Sequence, residues 1–436
     1  MGNYEKSATC LLFMRLIAVI HLFGLGFYGR LADTLLIASL AAHIQEPFEM
    51  PVINRIAEFA DEVVAWRRDL HQHPELNYDV HRTAGIVAEK LRAFGCDEVV
   101  TGIGRTGVVG VIKGRLPGDK TIGLRADMDA LPIVEVTGKP YASTVAGKMH
   151  ACGHDGHTAM LLGAAKYLAE TRNFAGSVVV IFQPAEEGGG GGKAMVDDGM
   201  MARFNVNEVY GMHNLPGMPV GQFGVRSGPI MAAADQFTIT VTGRGSHAAM
   251  PHLSIDTVYV ASQLIVALQS IVSRNVDPLE SAVLSVTTFH AGDASNVIPQ
   301  EAVLTGTLRT FNPVIQELVV KRMQTVIDSI AAMHGAKIHF DFSYGYPVTI
   351  NHPDQTDFAS KIASDIAGSD RVNRSIAPMM GAEDFSYMLN ERPGCFIFVG
   401  NGNSAGLHHP AYDFDDSVIP IGVSYWAKLV ETGLAA

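Results

Sequence analysis

Cysteine is scarce in this chain, and its few copies lie far apart. Only four occur among 436 residues, at Cys10, Cys96, Cys152 and Cys395, and none forms a CxxC pair. A disulfide framework needs more numerous and more closely spaced cysteines, so none is expected. This usage is typical of a reducing compartment. We therefore expect a cytoplasmic protein in which Cys152 is free to act as a thiolate ligand.

Positive charge is also in short supply. Lys and Arg total 32 against 44 Asp and Glu, which gives a net charge of −12, and no basic run with interleaved aromatic residues occurs. We therefore expect no nucleic-acid partner. Hydrophobic residues make up 47% of the chain and charged residues 17%, which indicates a globular protein with a large core and excludes a disordered chain.

No uninterrupted apolar run is long enough to span a membrane. Residues 10–44 are strongly apolar, but Arg15, His21, Arg30 and Asp33 interrupt them. A spanning helix needs about 20 apolar residues in a row. No stable membrane partner is therefore expected. Two interpretations of this segment stay open. It is either a signal peptide cleaved near 38–43, with export as the consequence, or a leader outside a functional protein that begins near Met50.

A chain of 436 residues exceeds what one hydrophobic core usually covers, so two domains are expected. Outside the region 230–346, short apolar runs alternate with helical patterns. This alternation indicates an α/β domain with a mainly parallel sheet covered by helices. The predicted strands are 108–114, 121–127, 177–183, 208–214 and 395–401, and the predicted helices are 51–71, 81–95, 157–170, 354–368 and 420–433.

The region 230–346 has a different order of elements, βαββαβ, which is the ferredoxin-like arrangement. Its strands are predicted at 235–243, 282–292, 301–311 and 336–346, and its helices at 254–274 and 314–335. We interpret it as a small domain inserted into the larger one. The predicted organisation is an extension (1–49), the first part of the larger domain (50–229), the inserted domain (230–346) and the second part of the larger domain (347–436).

Side chains that can bind metal ions or transfer protons follow the predicted strands of the larger domain. In open α/β sheets, ligands bind beyond the carboxyl ends of the strands. We therefore expect these side chains to share one crevice with the segment MHACGHDGH at 149–157. They are Asp127 and Asp129 after the second strand, Glu186 and Glu187 after the third, His213 at the fourth and His408 after the fifth.

Two residues of MHACGHDGH have the spacing of ligands in a loop. Cys152 and His154 are two apart, so both can face one ion from an extended segment. Thiolate and imidazole suit Zn²⁺, and nearby carboxylates extend the range toward Mn²⁺. The alternative is a buried core cysteine beside a helix that Asp155 caps. Asp155 and His157 are expected to begin the following helix, with Asp155 as its cap and His157 in a structural role.

Glu186 and Glu187 are adjacent, so their side chains diverge. One can bind a metal ion while the other acts as general base toward water, although a solvated acidic turn is the alternative. The glycine run that follows, 188–192, lacks the residues of a phosphate-binding loop, and we predict a flexible turn. Asp129 is interpreted as a carboxylate that orients a ligand histidine rather than as a phosphorylated nucleophile.

Several longer motifs make the chain similar to a known family. It resembles the metal-dependent aminoacylase/carboxypeptidase family and is closest to the amidohydrolase branch. That branch includes hippurate hydrolases, N-acyl-amino-acid amidohydrolases and plant hydrolases of auxin–amino acid conjugates. The resemblance runs from about Met50 to the C-terminus. It is carried by LRADMDALP (124–132), MHACGHDGHTAMLLGAA (149–165), QPAEEGGGG (183–191), GMHNLP (211–216), GRGSHAAMPH (243–252), SNVIP (295–299), GTLRTF (306–311), GAEDFSYM (381–388) and GLHHPAYDFDD (406–416).

The resemblance implies a zinc-exopeptidase-like catalytic domain with a dinuclear metal site. Two divalent ions per subunit are expected, Mn²⁺ or Zn²⁺, with Co²⁺ and Ni²⁺ as further candidates. Cys152 stands where the carboxypeptidase branch has a bridging aspartate, and His409 is a rival of His408. The implied metal ligands are Cys152, His154, Glu187, His213 and His408, with Glu186 as general base and Asp129 as the supporting carboxylate.

The resemblance also implies a homodimer formed through the inserted domain. His247 would stabilise the oxyanion in a partner subunit's site, and Asn296 and Arg309 would hold the free carboxylate of the substrate. The predicted reaction is hydrolysis of N-acyl or N-aroyl amino acids by a water molecule activated at the dinuclear site. The alternatives are a dipeptidase or carboxypeptidase, and an N-acetyl-amino-acid deacetylase. A non-catalytic binding protein would lack a ligand or the base, and none is missing.

Overall fold

The structure is a computed structural model that describes residues 52–436, and its first part alternates helices with strands. In chain order the elements are α1 (Asn54–Glu58), α2 (Ala60–Gln72), α3 (His81–Ala93), β1 (Glu98–Ile103), β2 (Gly107–Lys113), β3 (Leu116–Asp127), α4 (His154–Thr171), β4 (Ala175–Gln183), α5 (Gly191–Asp197), α6 (Met200–Arg203), β5 (Glu208–Leu215), β6 (Phe223–Gly224) and β7 (Gly228–Met231).

The next part forms a four-stranded antiparallel sheet in the order β10-β12-β8-β13, with two long helices packed against it. Its elements are β8 (Ala233–Thr242), β9 (Ser246–His247), a 3₁₀ turn (Pro251–Leu253), α7 (Thr257–Asn275), β10 (Ala282–His290), β11 (Val297–Ile298), β12 (Glu301–Thr310), α8 (Pro313–His334) and β13 (Lys337–Tyr346). Leaving aside the short β9–β11 pair, the order is the predicted ferredoxin-like βαββαβ. The boundaries at 230 and 346 stay predictions.

Local sequence explains where the two long helices of this part begin. The carboxylate of Asp256 accepts hydrogen bonds from the backbone N–H groups of Val258 and Tyr259, which caps α7. Asn312 caps α8 in the same way, and Pro313 follows it at the first helical position, where no N–H is needed. The helices bury their apolar faces on residues of β8 that alternate along the strand, such as Phe237, Ile239 and Val241.

The last part of the chain returns to the large sheet. Its elements are β14 (Thr349–Asn351), α9 (Pro353–Ala367), a 3₁₀ turn (Ser369–Arg371), β15 (Val372–Asn373), α10 (Ser386–Glu391), β16 (Gly394–Gly400), a 3₁₀ turn (Asp416–Val418) and α11 (Ile419–Gly433). Strand β14 pairs with β7, so the two segments that connect the inserted sheet to the rest of the chain lie side by side.

The large sheet has eight strands in the order β1-β2-β4-β3-β5-β16-β6-β15. Its four central strands, β4, β3, β5 and β16, are parallel, so their carboxyl ends share one edge. Helices cover both faces: α4 and α11 pack on one, and the side chains of α5, α6 and α10 pack on the other. The predicted fold class, a mainly parallel α/β sheet covered by helices, is confirmed.

Several boundaries differ from the predictions. The predicted helix 51–71 is divided at Phe59 into α1 and α2, and the helix predicted to start at 157 starts at His154. None of the helices within residues 52–436 is long and apolar enough to cross a membrane. The interpretations of residues 10–44 lie outside the described residues.

Candidate active site

The predicted site residues converge at the carboxyl edge of the large sheet. Asp127 ends β3, the glutamates follow β4, and His213 lies near the end of β5. Cys152 is in the loop that leads into α4, and His154 is the first residue of that helix. Four distant stretches of sequence therefore meet at one place, as the strand-end argument predicted.

Cys152 is at the centre of this convergence. Its Sγ lies 3.4 Å from His213 Nε2. Two groups of three potential ligands share it, one with His154 and His213 and one with Glu187 and His408, and within each group the ligand atoms lie within 4.8 Å of one another. A cysteine common to two ligand sets has the position that a residue shared between two ions requires.

The chemistry of this cluster fits bound cations. Both ring nitrogens of His154 and the Oε1 atom of Glu187 are buried without a hydrogen-bond partner. Buried polar atoms are nearly always satisfied, so orphaned atoms need an explanation such as a bound ion. Together with Cys152, they supply sulfur, nitrogen and oxygen donors, a set that suits Zn²⁺ or Mn²⁺.

His408 rather than His409 points toward this cluster. His408 has a left-handed backbone conformation, with φ of 62°, and its Nε2 lies 3.3 Å from Glu187 Oε1. His409 instead accepts a hydrogen bond on Nδ1 from the backbone N–H of Ala411. The structure therefore brings His408 together with the other predicted ligands.

The charges around the cluster favour positive ions. Burial, and then the carboxylates of Glu187 and Glu186, raise the pKa of the Cys152 thiol well above its ordinary value. Burial lowers the pKa of His154, but Asp127 and Asp129 outweigh it and raise that pKa to about 10. These carboxylates create a site that stabilises a proton or a cation, and a cation would hold Cys152 as a thiolate.

The two adjacent glutamates have opposite pKa shifts. Burial and the nearby carboxylates of Glu383 and Glu187 raise the pKa of Glu186 well above its ordinary value. Burial also acts to raise the pKa of Glu187, but His408 and His154 outweigh it and lower that pKa. Glu187 is therefore suited to bind a cation as a carboxylate, and Glu186 is suited to hold a proton.

Asp129 contacts more than the predicted histidine. Its Oδ1 lies 3.5 Å from His154 Nδ1. Its two oxygens also accept hydrogen bonds from the backbone N–H groups of Glu186, at 2.9 Å, and Glu187, at 3.1 Å. Asp129 therefore holds the backbone that carries the base and one ligand, in addition to facing a ligand histidine.

A buried polar network beneath the site was not predicted. Arg125 bonds Asp127 at 2.7 Å, Gln183 at 2.8 Å and Asp384 at 3.0 Å. It also lies 3.0 Å from Glu383. Arg125, Asp127 and Gln183 lie in or beside quoted motifs, and Glu383 and Asp384 are in GAEDFSYM. Their inward orientation depends on strand register, which the motifs alone do not reveal.

His157 bonds two buried side chains, and Asp155 is not the predicted helix cap. His157 Nδ1 lies 2.7 Å from Asp127 and its Nε2 lies 2.8 Å from Asn214 Oδ1. Gly153, with φ of 90°, occupies the cap position of α4. Asp155 is already inside the helix, where its carboxylate pairs with His71 Nδ1 at 2.8 Å.

The three residues predicted from the inserted domain lie in two places. Arg309, on β12, lines the same cavity as the ligand cluster. His247, on β9, and Asn296, just before β11, are exposed, and within the described residues neither is among those that line the cavity. His247 pairs with Val297 across the two short strands, so His247 and Asn296 are close neighbours.

The cavity above the cluster has a volume of about 450 Å³. Its floor holds Cys152, both glutamates, His213 and His408, and Arg309 lies at its wall. The rest of the lining is mainly apolar, with Glu383 as a further carboxylate, and its other residues are Leu215, Met231, Met379, Gly381, Ala382, Phe398 and Leu407. A pocket that combines a metal-binding floor, an apolar wall and one guanidinium suits a substrate with an apolar group and a carboxylate.

Comparison with known proteins agrees with this geometry. The model of Peptidase family M20/M25/M40 matches residues 123–432. Hippurate hydrolase from Campylobacter jejuni subsp. jejuni is 43% identical over 380 residues, which cover 87% of this chain and 98% of the relative. N-acetylcysteine deacetylase from Bacillus subtilis is 40% identical over 376 residues, covering 85% and 96%.

A solved structure shares the fold. The Bacillus subtilis YXEP protein, described as a dinuclear metal binding peptidase from the M20 family, matches with a TM-score of 0.76 at 36% identity and covers 87% of this chain and 99% of that one. Fold and site together define a hydrolase of linear amide bonds. The chain belongs to Peptidase family M20/M25/M40, and its relatives place it in the predicted amidohydrolase branch. The roles of individual residues stay predictions.

Proposed function

We propose that this protein hydrolyses the amide bond of N-acyl or N-aroyl amino acids such as hippurate. The observation that carries the proposal is the single cavity in which the ligand cluster, Glu186, the apolar wall and Arg309 meet. The similarity to a protein named hippurate hydrolase supports it.

The cavity wall suits the two ends of such a substrate. Met231 and Met379 are flexible and polarisable, so they can pack against an aromatic or aliphatic acyl group. Arg309 presents a planar guanidinium that can bind a carboxylate through two hydrogen bonds. Asn296 is proposed to assist Arg309, in a site completed by a second subunit.

The proposed cofactor is a pair of divalent ions, Mn²⁺ or Zn²⁺, with Co²⁺ and Ni²⁺ as further candidates. Cys152, His154, Glu187, His213 and His408 would hold them. When bound, the ions would supply a Lewis acid for the amide carbonyl and lower the pKa of the attacking water.

The protein's own groups would move the protons and stabilise charge. Glu186 takes a proton from the attacking water and delivers it to the nitrogen of the leaving amino acid, a task that suits a carboxylate of raised pKa. The carboxylate of Asp129 keeps the backbone of Glu186 in place by accepting a hydrogen bond from the N–H of Glu186. His247 of a second subunit donates a hydrogen bond to the developing oxyanion.

A substrate panel tests the proposal. Chelated protein is reloaded separately with Mn²⁺, Zn²⁺, Co²⁺ or Ni²⁺ and assayed with N-benzoylglycine, N-acetyl amino acids and unblocked dipeptides. The highest kcat/KM is expected for N-benzoylglycine, with no turnover after chelation. Faster cleavage of dipeptides would favour the dipeptidase or carboxypeptidase alternative, and faster cleavage of N-acetyl amino acids would favour the deacetylase.

The cytoplasmic localisation and the homodimer stay predictions.

A further inference from the structure

The hydroxyl group of Tyr346 is bonded to the loop that carries Glu186 and Glu187. It donates a hydrogen bond to the backbone carbonyl of Glu186 at 2.7 Å. It accepts two more, from the backbone N–H groups of Gly188 at 3.1 Å and Gly190 at 3.0 Å. A phenol has one proton and two lone pairs, so these bonds use its full capacity.

The glycine run has the conformation that these bonds require. Gly188 and Gly190 have φ values of 95° and 67°, in the left-handed region that glycine adopts without strain. Their N–H groups can therefore both turn toward one oxygen atom. The sequence pattern predicted a flexible turn here, but the structure shows a loop wrapped around a hydroxyl group.

Tyr346 comes from the inserted sheet rather than from the large one. It is the last residue of β13, where the chain leaves the four-stranded sheet. Its neighbour Gly345 is fixed on both sides, since its N–H donates to Asp235 and its carbonyl accepts from the Tyr387 hydroxyl. The rings of Tyr346 and Tyr387 also pack edge to face at 6.1 Å. The hydroxyl of Tyr346 is thus held at a defined place.

The Tyr78 hydroxyl holds the loop at the Gly189 carbonyl, at 2.7 Å, and two further residues bind the backbone around the glutamates from opposite directions. Asp129, two residues beyond β3, accepts hydrogen bonds from the N–H groups of Glu186 and Glu187. Tyr346 binds the next backbone groups from the side of the inserted sheet. We propose that Tyr346 is a positioning residue whose hydroxyl fixes the loop 186–190 and thereby couples the place of the inserted domain to the geometry of Glu186 and Glu187.

This inference rests on the proposed function, because Glu186 is the base in it. Without the hydroxyl, the N–H of Gly190 loses its partner, while the carbonyl of Glu186 and the N–H of Gly188 keep only their 2.7 Å bond to each other. The loop therefore gains freedom. Arg309 and the apolar wall keep their places, so substrate binding should change little. Groups that orient metal ligands and bases typically contribute about 10- to 100-fold to activity or metal affinity.

The test compares metal-loaded Tyr346→Phe with wild type and with Tyr344→Phe. The phenylalanine keeps the ring that packs on Tyr387, so the fold is retained. Tyr344 is a matched control, because it lies on the same strand and its hydroxyl donates to Glu317 at the surface. For Tyr346→Phe we expect kcat on N-benzoylglycine to fall about 10- to 100-fold, with KM within about twofold.

Two measurements that do not depend on turnover accompany the assay. Amide hydrogen exchange in the peptide covering 186–192 should speed up by at least about fivefold in Tyr346→Phe, and metal should be stripped at a lower chelator concentration. Tyr344→Phe should match wild type in every measurement. Wild-type kcat, exchange and metal retention in Tyr346→Phe would overturn the inference. If the wild-type protein were inactive on the whole substrate panel, the proposed function would be refuted instead. The hydrogen exchange and metal retention of Tyr346→Phe would then still show whether Tyr346 positions the loop.

Discussion

The sulfur atom of Cys152 is shared by the two candidate ligand groups, and its surroundings suit a cation. Carboxylates of Glu186 and Glu187 raise the pKa of the thiol, in addition to the effect of burial. Neighbouring negative charges disfavour a thiolate, whereas a divalent cation stabilises it. If Cys152 is a ligand, as predicted, loss of the thiol proton and binding of metal are coupled at this residue.

Glu186→Gln should separate proton transfer from structure. The backbone N–H of residue 186 still donates to Asp129, and the glutamine has nearly the same shape, so the loop and the metal content should be retained. An amide cannot accept the proton of water, so kcat should fall on the order of 10²- to 10⁴-fold. Steady-state kinetics and elemental analysis measure both quantities.

The exposed Glu58, which pairs with Arg55 on α1, gives the control Glu58→Gln, and this variant should behave as wild type. Near-normal turnover of the Glu186→Gln variant would show that another group is the base.

His408 and His409 can be distinguished by metal content. His408 Nε2 lies 3.3 Å from Glu187 Oε1, whereas His409 bonds the backbone of Ala411. We predict that His408→Ala loses about one of the two ions and most of its activity, because one of the two ligand sets then lacks a donor. His409→Ala should keep both ions. Elemental analysis after dialysis checks this, and metal loss confined to His409→Ala would reverse the assignment.

Single residues also show which features of the site can be predicted from the sequence and which cannot. The five predicted ligands could be named from motifs, and the structure brings all five together. Asp155 was predicted wrongly, because a glycine in a left-handed conformation starts the helix two residues earlier. Asp127 and Asp129 flank one methionine, and their different partners follow from strand register, a tertiary property.

At the level of elements, the positions of strands and helices were predicted well where their apolar patterns were long. The central parallel strands and the long helices were predicted close to their observed places, since burial on both faces leaves a continuous apolar pattern. Strands of two residues, such as Phe223–Gly224 and Val372–Asn373, have too little periodicity to be read from sequence. Their pairing depends on neighbours that are remote in the chain.

The strand β3 carries a buried arginine whose loss should be costly. Arg125 is wholly buried against Asp127, Glu383 and Asp384. Arg125→Met would leave these carboxylates without their cation, and removing one partner of a buried ion pair costs about 3–5 kcal/mol. The free energy of unfolding of the metal-free protein, from urea denaturation, should fall by this amount.

Arg55→Met is the matched control for Arg125→Met, because Arg55 pairs with Glu170 in an exposed position on α1. Exposed pairs contribute about 0–1 kcal/mol, so this variant should be nearly as stable as wild type. Equal losses in the two variants would contradict the view that Arg125 stabilises the floor of the site.

At the scale of the whole molecule, the inserted part leaves apolar side chains uncovered. Val266 and Tyr259 on α7 are 73% and 54% exposed, and Phe289 on the edge strand β10 is 39% exposed. Apolar side chains on an open helix and an unpaired strand edge are typical of surfaces that associate. They support the predicted homodimer, in which His247 would reach the cavity of a second subunit.

A mixing experiment tests whether His247 serves a second subunit. Glu186→Gln and His247→Ala should each be nearly inactive alone. After equal amounts are dissociated and reassociated, half of the dimers are mixed. If His247 acts across the interface, one site in each mixed dimer combines an intact Glu186 with an intact His247, so about one quarter of wild-type activity should return. If His247 acts within its own subunit, every site keeps one defect and no activity returns. Sedimentation analysis must first show a dimer, because a monomer would refute the shared site directly.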